Sequence, residues 1–263
     1  MTTFSLPLHE KDSPLQTFRY NLSGRPAPRP EQDGSHPHQV LLDPTGDFII
    51  SPDLGMDLIH VFAIDKASGT LEECERILFP AGSGPRHGKF VASKTDGKTI
   101  LYTVSELSAE ITAFTVESSK QGGCPNFHRI QTTYPYPDGK KPPNGAAPAG
   151  IQAYDGNVYV SLRYDQSFPE IKSDGIVNLV QNADDTVSVR NLTPSYGKVP
   201  RTLEVNDAGT LVAIGNQASA TVVVVERLQN GDLGQAIGSV SVGEQGTVGK
   251  TEGLSSVIWG DSV

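Results

Sequence analysis

Three basic residues each directly follow a proline that recurs along the chain at intervals of roughly fifty residues. They are His38, Arg86 and Arg201. Histidine exchanges protons near neutral pH without help from its surroundings. The guanidinium group of arginine holds a carboxylate or a phosphate through two hydrogen bonds and stays charged at every relevant pH. If the repeat gathers these residues in one place, the pattern predicts a site that binds an anion and moves a proton.

Each copy of the repeat runs from its proline through a short apolar strand to an Asp/Gly turn and a second apolar strand. In the first copy the strand Val40–Leu42 leads into the turn Asp43–Gly46, in which proline occupies the second position and glycine the last. Phe48–Ser51 follows as the second strand. Leu58–Phe62 has the β-branched, apolar composition of a buried strand, and Leu71–Leu78 is interpreted as the outermost one.

Four strands in about fifty residues form one blade of a β-propeller. The sequence therefore predicts an all-β fold, an incomplete propeller with about four to five blades present. Because inner strands surround the channel, the residues after the repeated prolines are expected there. We interpret the chain as a single domain over residues 1–263, with a partial blade and linker at 1–36 and blade repeats at 37–84, 85–147, 148–199 and 200–263.

Two segments fall outside the repeat. Gln16–Leu22 is interpreted as an outer strand that pairs either with Ser239–Val242 or with Ser256–Trp259 if the arc closes. If the arc stays open, its unpaired blade edges predict self-association. The Pro/Gly-rich stretch Tyr134–Gly145 is expected to be a surface loop, and whether it lines the channel mouth is left open by the sequence.

Composition excludes several classes of partner. The formal net charge is −9, and no basic face suited to nucleic acid is visible. No apolar run approaches the roughly 18 residues of a membrane span, and the first residues lack the pattern of a secretory signal. Cys74 and Cys124 lie far apart and are interpreted as unpaired thiols. These features predict a cytoplasmic protein with neither a nucleic-acid nor a membrane partner.

Three phrases of the sequence resemble one protein family. They are His36-Pro37-His38-Gln39-Val40-Leu41-Leu42-Asp43-Pro44-Thr45-Gly46, Gly82-Ser83-Gly84-Pro85-Arg86-His87 and Gly215-Asn216-Gln217. The chain resembles the seven-bladed lactonase propellers from about Ser35 onward. That family includes bacterial-type 6-phosphogluconolactonases and fungal carboxymuconate-lactonizing cycloisomerases. The three motifs are most similar to those of the fungal members. The first two to three blades of such a protein have no counterpart here.

The resemblance implies a catalytic set of one histidine, two arginines and one glutamate in the channel. These fall on His38, Arg86, Glu106 and Arg163. Four further residues near these motifs are assigned to substrate binding. They are His36, His87, Arg201 and Gln217. Each assignment has a structural alternative: a histidine bonded to a neighbouring blade, an arginine in a surface ion pair, or a solvated carboxylate.

The chemistry expected of such a site needs no cofactor. In a lactonase, Glu106 or His38 would activate water while an arginine stabilises the oxyanion. In a cycloisomerase, the carboxylate of the substrate would add across a double bond while one of these residues transfers a proton. His36, His38 and His87 could be imagined as metal ligands, but the expectation is that the site holds no metal.

Two functions remain open from the sequence. The first is a lactonase or cycloisomerase acting on a small carboxylated or phosphorylated substrate. The second is a propeller without catalysis, either a binding module or an inactive shortened family member. The retained histidine, arginines and glutamate favour the first, and the small number of blades favours the second.

Overall fold

The computed structural model describes residues 1–21, 27–118 and 123–260, and the regular secondary structure within these ranges is almost entirely β-strand. The predicted linker is described only from residue 27 onward, because residues 22–26 lie outside the described residues. Three short 3-10 helices occur at Pro30–Gln32, Pro137–Gly139 and Pro169–Ile171. None of the helices in the described ranges is long and apolar enough to span a membrane.

The described residues form four antiparallel blades and one small N-terminal sheet. The first blade contains β3 (Leu41–Leu42), β4 (Phe48–Asp53), β5 (Leu58–Asp65), β6 (Thr70–Glu73) and β7 (Ile77–Leu78). The second contains β8 (Pro85–Ala92), β9 (Thr99–Ser105), β10 (Glu110–Glu117) and β11 (Asn126–Thr133). The third contains β12 (Ala147–Tyr154), β13 (Asn157–Arg163), β14 (Gly175–Gln181) and β15 (Val187–Pro194). The fourth contains β16 (Pro200–Val205), β17 (Leu211–Asn216), β18 (Thr221–Arg227) and β19 (Leu233–Ser241). The small sheet pairs β1 (Thr2–Thr3) with β2 (Gln16–Thr17).

The first strand of each blade lies at one edge of its sheet, as the repeat predicts. The edge strands β8 and β12, and β12 and β16, contact one another between blades, whereas in the first blade the second strand, β4, contacts β8. The prediction that the strands beginning near His38, Arg86, Ala149 and Arg201 are innermost is therefore confirmed for the last three. In the first blade the edge strand β3 begins only at Leu41, and next to His38 there is an isolated bridge between Pro37 and Asp53. The fold is an all-β propeller arc.

The core lies between adjacent blades, because the central strands are buried on both faces. In β9, Leu101 packs toward the first blade, whereas its neighbour Tyr102 packs toward the third. In β13, Val160 packs toward the second blade and Tyr159 toward the fourth. Because successive side chains of a strand point to opposite faces, each of the two central blades contributes to two hydrophobic clusters, one shared with each neighbouring blade.

The free faces of the first and last blades are covered by terminal segments. On the first blade, the ring of Phe18 lies 4.9 Å from that of Phe62, and Tyr20 stacks on His60 at 3.8 Å. Gln16 donates to and accepts from the backbone of Leu71. These contacts take the place that a neighbouring blade would occupy.

The last blade is covered in the same way by residues 246–259. The indole nitrogen of Trp259 donates to the carbonyl of Glu204 at 2.9 Å. Leu254 and Val257 pack so closely over Gly215 that a Cβ there would lie 2.9 Å from Leu254 and 3.5 Å from Val257. We call Phe18–Tyr20 and Leu254–Trp259 the two end caps.

Three expectations about strands and cysteines are wrong. Gln16–Thr17 pairs with Thr2–Thr3, and not with either of the C-terminal segments expected to close the arc. The expected outermost strand of the first blade is divided into β6 and β7, both paired with β5. Cys74 lies in the break between them and is bonded to Cys124. Because the outer edges of the first and second blades lie side by side, these distant cysteines meet.

Candidate active site

Equivalent positions in the second and fourth blades carry Arg86 and Arg201. The pairing of β8 with β9 shifts register between Pro85 and His87, so Arg86 is the extra residue of a β-bulge. The pairing of β16 with β17 shifts between Pro200 and Thr202, which places Arg201 in the same bulge. A bulge redirects a side chain out of the regular alternation. Both guanidinium groups are therefore positioned by the same local irregularity.

Glu106 stands at the same end of the second blade as Arg86. It directly follows β9, whose last residue Ser105 pairs with Pro85. Its backbone N–H donates to the carbonyl of Gly84 at 2.8 Å, so a short tight connection holds the carboxylate over the start of β8. Gly84 has φ +61 and packs against Leu107, a position that a larger residue would disrupt.

Two arginines from neighbouring blades converge on the carboxylate of Glu106. The Nε atom of Arg86 lies 2.7 Å from Oε2, and the Nη2 atom of Arg163 forms an ion pair with Oε1. Arg163 is the last residue of β13, so it reaches Glu106 across the gap between the second and third blades. Arg86 also donates from Nη1 to the carbonyl of Ala149 at 2.6 Å. These three charged groups therefore connect the second and third blades near the axis.

Burial sets the charge state of this centre. The side chain of Arg86 is only 1% exposed and that of Glu106 19% exposed. Burial would raise the pKa of Glu106, but Arg163 and Arg86 together lower it below its ordinary value. Burial lowers the pKa of Arg86 to about 9, which leaves it protonated at neutral pH. The centre therefore contains an ionised carboxylate between two guanidinium cations.

His38 and His87 lie beside Arg86. Their rings are 5.6 Å apart and nearly perpendicular, and the Nη1 atom of Arg86 is 3.2 Å from Nδ1 of His87. Burial, and then the positive charge of Arg86, lowers the pKa of His38 to about 4. The same two causes hold the pKa of His87 well below its ordinary value. Both imidazoles are thus neutral at pH 7, and neutral imidazole can accept a proton.

Arg201 supplies a third cation to the same centre. Burial, followed by repulsion from Arg163, lowers the pKa of its guanidinium, while Glu106 acts in the opposite direction. Within the described residues, no carboxylate lies within ion-pairing distance of Arg201. Because Glu106 already serves Arg86 and Arg163, the positive charge of Arg201 is available to a ligand.

Two residues assigned to substrate binding are engaged elsewhere. The exposed ring of His36 hydrogen bonds Asp33 at 2.7 Å, and its backbone N–H donates to Asp53. Gln217 is buried, and its backbone binds Val199 and the C-terminal cap residue Leu254. The structure thus brings together His38, His87, Arg86, Glu106, Arg163 and Arg201, and places His36 and Gln217 in structural contacts.

Sequence reasoning missed two participants in this centre. The carbonyl of Ala149 fixes Arg86, and the ring of Tyr164 lies 5.7 Å from the guanidinium carbon of Arg163. Ala149 occupies the bulge position of the third blade, where a repeat comparison could have found it. Nothing in the sequence marks Tyr164, because its place depends on a left-handed backbone with φ 65.

A family profile described as "Lactonase, 7-bladed beta-propeller" matches residues 1–249. The chain belongs to this lactonase family. A probable 6-phosphogluconolactonase of Arthroderma benhamiae is 36% identical over 156 residues, which cover 59% of this chain and 38% of that protein. A 6-phosphogluconolactonase of Formosa agariphila is 24% identical over 218 residues, or 79% of this chain and 55% of that protein.

Solved structures show the same lactonase-family fold. The periplasmic gluconolactonase PpgL of Pseudomonas aeruginosa has a TM-score of 0.71 and 24% identity, with 89% of this chain and 61% of that one covered. A protein from Lactobacillus plantarum has a TM-score of 0.68 and 27% identity, with coverage of 83% and 59%. This chain therefore spans between 38% and 61% of the length of these four proteins. Those named by activity are lactonases, and they give no support to a muconate substrate.

Proposed function

We propose that this chain is a lactonase that opens a phosphorylated sugar lactone at the centre formed by Arg86, Glu106, Arg163, Arg201 and His38. The observation that carries the proposal is the convergence of three guanidinium groups and a neutral imidazole around one carboxylate. The curated relatives named as 6-phosphogluconolactonases support the same substrate class.

The charge balance of the centre suits an anionic ester. Glu106 neutralises one of the cations, so Arg86, Arg163 and Arg201 together leave an excess of positive charge. In a protein with a net charge of −9, this local excess attracts an anion that the rest of the surface repels. Both carboxylate oxygens of Glu106 are engaged in ion pairs with Arg86 and Arg163, so Glu106 is better suited to orienting these arginines than to accepting a proton.

The hydrolysis can be written with these groups. Neutral His38 accepts a proton from water, and the resulting hydroxide oxygen attacks the lactone carbonyl carbon. The carbonyl oxygen becomes an oxyanion, which Arg201 and the remaining N–H groups of Arg163 stabilise. When the carbonyl reforms, the bond to the ring oxygen breaks, and protonated His38 returns its proton to that oxygen. The product is an open-chain hydroxy acid, ionised as its carboxylate.

A purified-protein assay tests this proposal. The chain is mixed with 6-phosphogluconolactone, and ring opening is followed by NMR with spontaneous hydrolysis subtracted. The proposal predicts catalysed opening, with kcat reduced about 100-fold or more in His38→Gln because a general base is lost. His128→Gln is the matched control, because the His128 side chain is 60% exposed on an outer strand. Absence of catalysis in the folded wild type would favour the non-catalytic binding module.

A further inference from the structure

A cavity of about 320 Å³ opens beside the arginine centre. Its walls come from the loop between β13 and β14, the loop between β15 and β16, and the segment after β19. They include Tyr164, Pro169, Lys172, Lys198, Val199 and Val248. The first loop follows the second strand of its blade, as Glu106 does, and the second loop precedes an inner strand, as the segment before Arg86 does. The cavity therefore lies at the same end of the propeller as the proposed active site.

Tyr164 forms the link between the cavity and the arginine centre. It lines the cavity, and its ring lies 5.7 Å from the guanidinium carbon of Arg163. It is also close enough to Arg201 to influence the pKa of that guanidinium. A ligand that reaches past Tyr164 could therefore contact the cavity and the arginines at once.

The cavity wall is held in an unfavourable backbone conformation. Four of its residues have left-handed φ values, namely Tyr164 at 65, Gln166 at 50, Lys172 at 53 and Val199 at 60. For a β-branched residue such as Val199 this conformation is a true outlier. Such strain persists where the surroundings enforce it, and it concentrates at functional sites.

Asp174, which also lines the cavity, enforces this arrangement. Its Oδ1 accepts the N–H of Gln166 at 3.0 Å, and its Oδ2 accepts the N–H of Val199 at 2.7 Å. Both oxygens of the buried carboxylate are thus occupied by the backbone of the wall.

The rim of the cavity is positively charged. Lys172 and Lys198 are both exposed, and within the described residues neither has a carboxylate at ion-pairing distance. The lining also contains the apolar side chains of Pro169, Val199 and Val248. A cavity that combines unpaired cations with apolar side chains suits a ligand that has a carbon chain and a terminal anion.

We propose that this cavity binds the phosphate-bearing end of the lactone substrate. Lys172 and Lys198 contact the phosphate, Tyr164 and Val199 pack against the carbon chain, and the lactone carbonyl lies at the arginines and His38. This inference rests on the proposed lactonase function and adds the phosphate subsite to it. The cavity then determines substrate preference, whereas the arginine centre determines turnover.

The test compares two lactones that differ in the phosphate. The double variant Lys172→Ala/Lys198→Ala is assayed with 6-phosphogluconolactone and with unphosphorylated gluconolactone. We expect KM for the phosphorylated lactone to rise about tenfold or more, with kcat and both constants for the unphosphorylated lactone within about twofold of wild type. Lys66→Ala/Lys98→Ala removes the same charge from exposed turns at the other end of the blades and is expected to change neither KM. Equal increases in KM for the two lactones would overturn the proposal.

A second measurement separates this inference from the proposed function. Inorganic phosphate is titrated into wild type and into both double variants by isothermal calorimetry, which needs no turnover. We expect about tenfold weaker binding in Lys172→Ala/Lys198→Ala alone. Unchanged phosphate affinity in that variant would overturn the subsite, even if wild type hydrolyses both lactones. If wild type hydrolyses neither lactone, the function fails, and the titration still decides whether the cavity binds phosphate.

Discussion

The Nε atom of Arg86 lies 2.7 Å from Oε2 of Glu106, in an ion pair whose arginine is almost wholly buried. Because Arg163 binds the other carboxylate oxygen, Glu106 connects the second and third blades. A buried ion pair adds little net stability compared with an apolar substitute, but removal of one partner leaves an uncompensated charge. The pair is therefore expected to define the geometry of the site.

Replacing Glu106 with Gln should destabilise the protein. The substitution leaves the charges of Arg86 and Arg163 unbalanced in a buried setting, and we expect a loss of about 3 kcal/mol in the free energy of unfolding. Urea denaturation at pH 7 measures this loss. Glu117→Gln is the control, since that carboxylate is 65% exposed. Equal stability of the two variants would show that Glu106 does not bridge the arginines.

Stability should fall as the solution is acidified from about pH 6.5 toward pH 4. The folded-state pKa values of His38, about 4, and of His87 lie below the ordinary value of 6.5. In this window the unfolded state binds more protons than the folded state, so acid favours unfolding. The decrease between pH 7 and pH 5 should be smaller in His38→Gln than in wild type, while His128→Gln should match wild type. An identical decrease in all three proteins would contradict the low pKa of His38.

The bond between Cys74 and Cys124 should stabilise the chain. It joins residues 50 apart, and closing a loop of this size contributes about 3–4 kcal/mol in the chain-entropy account. Reductant should lower the Tm of the wild type. The Tm of Cys74→Ser/Cys124→Ser should equal that of the reduced wild type and should not change when reductant is added. Free thiols in the purified oxidised protein, detected by alkylation and mass spectrometry, would show that the bond does not form. The disulfide bond is typical of an oxidising compartment, whereas the cytoplasm predicted from the sequence is reducing.

The N-terminal end cap should limit self-association. Phe18→Ala removes the ring that covers Phe62, and we expect a loss of about 2 kcal/mol in stability together with oligomers in light scattering. Phe4→Ala is the control, because Phe4 is 42% exposed and the change should have little effect. Self-association through open edges remains a prediction. If wild type and Phe18→Ala oligomerise to the same extent, the cap has no such role.

Short-range patterns in the sequence were sufficient to predict the blades. The Asp/Gly turns act locally: in the first blade the carboxylate of Asp43 accepts the N–H groups of Thr45, Asp47 and Phe48. Such turns are stabilised by contacts between residues close in sequence, so they can be predicted from the sequence alone. The family resemblance then located His38, Arg86, Glu106 and Arg163, which the structure brings into one centre.

The features that were missed depend on contacts between distant segments. The pairing of Cys74 with Cys124 requires the outer edges of two blades to be adjacent. The two end caps were expected to be strands, but both lie outside the sheets, and Phe18 finds its place only when the first blade exists. The cavity wall is set by Asp174, whose backbone partners come from two separate loops.

The central claim is that neutral His38 is the proton acceptor in a centre of three arginines, and the pH dependence of kcat/KM tests it most directly. With 6-phosphogluconolactone as substrate and spontaneous hydrolysis subtracted, the wild type should show kcat/KM rising with pH to a plateau, with an inflection at about 4. His38→Gln should lose that inflection along with about 100-fold or more of the rate. The phosphate of the substrate has a second pKa of about 6, so an inflection near that pH is expected in both proteins. A wild-type inflection near the ordinary histidine value of about 6.5 that disappears in His38→Gln, or a His38→Gln profile like that of wild type, would contradict the account.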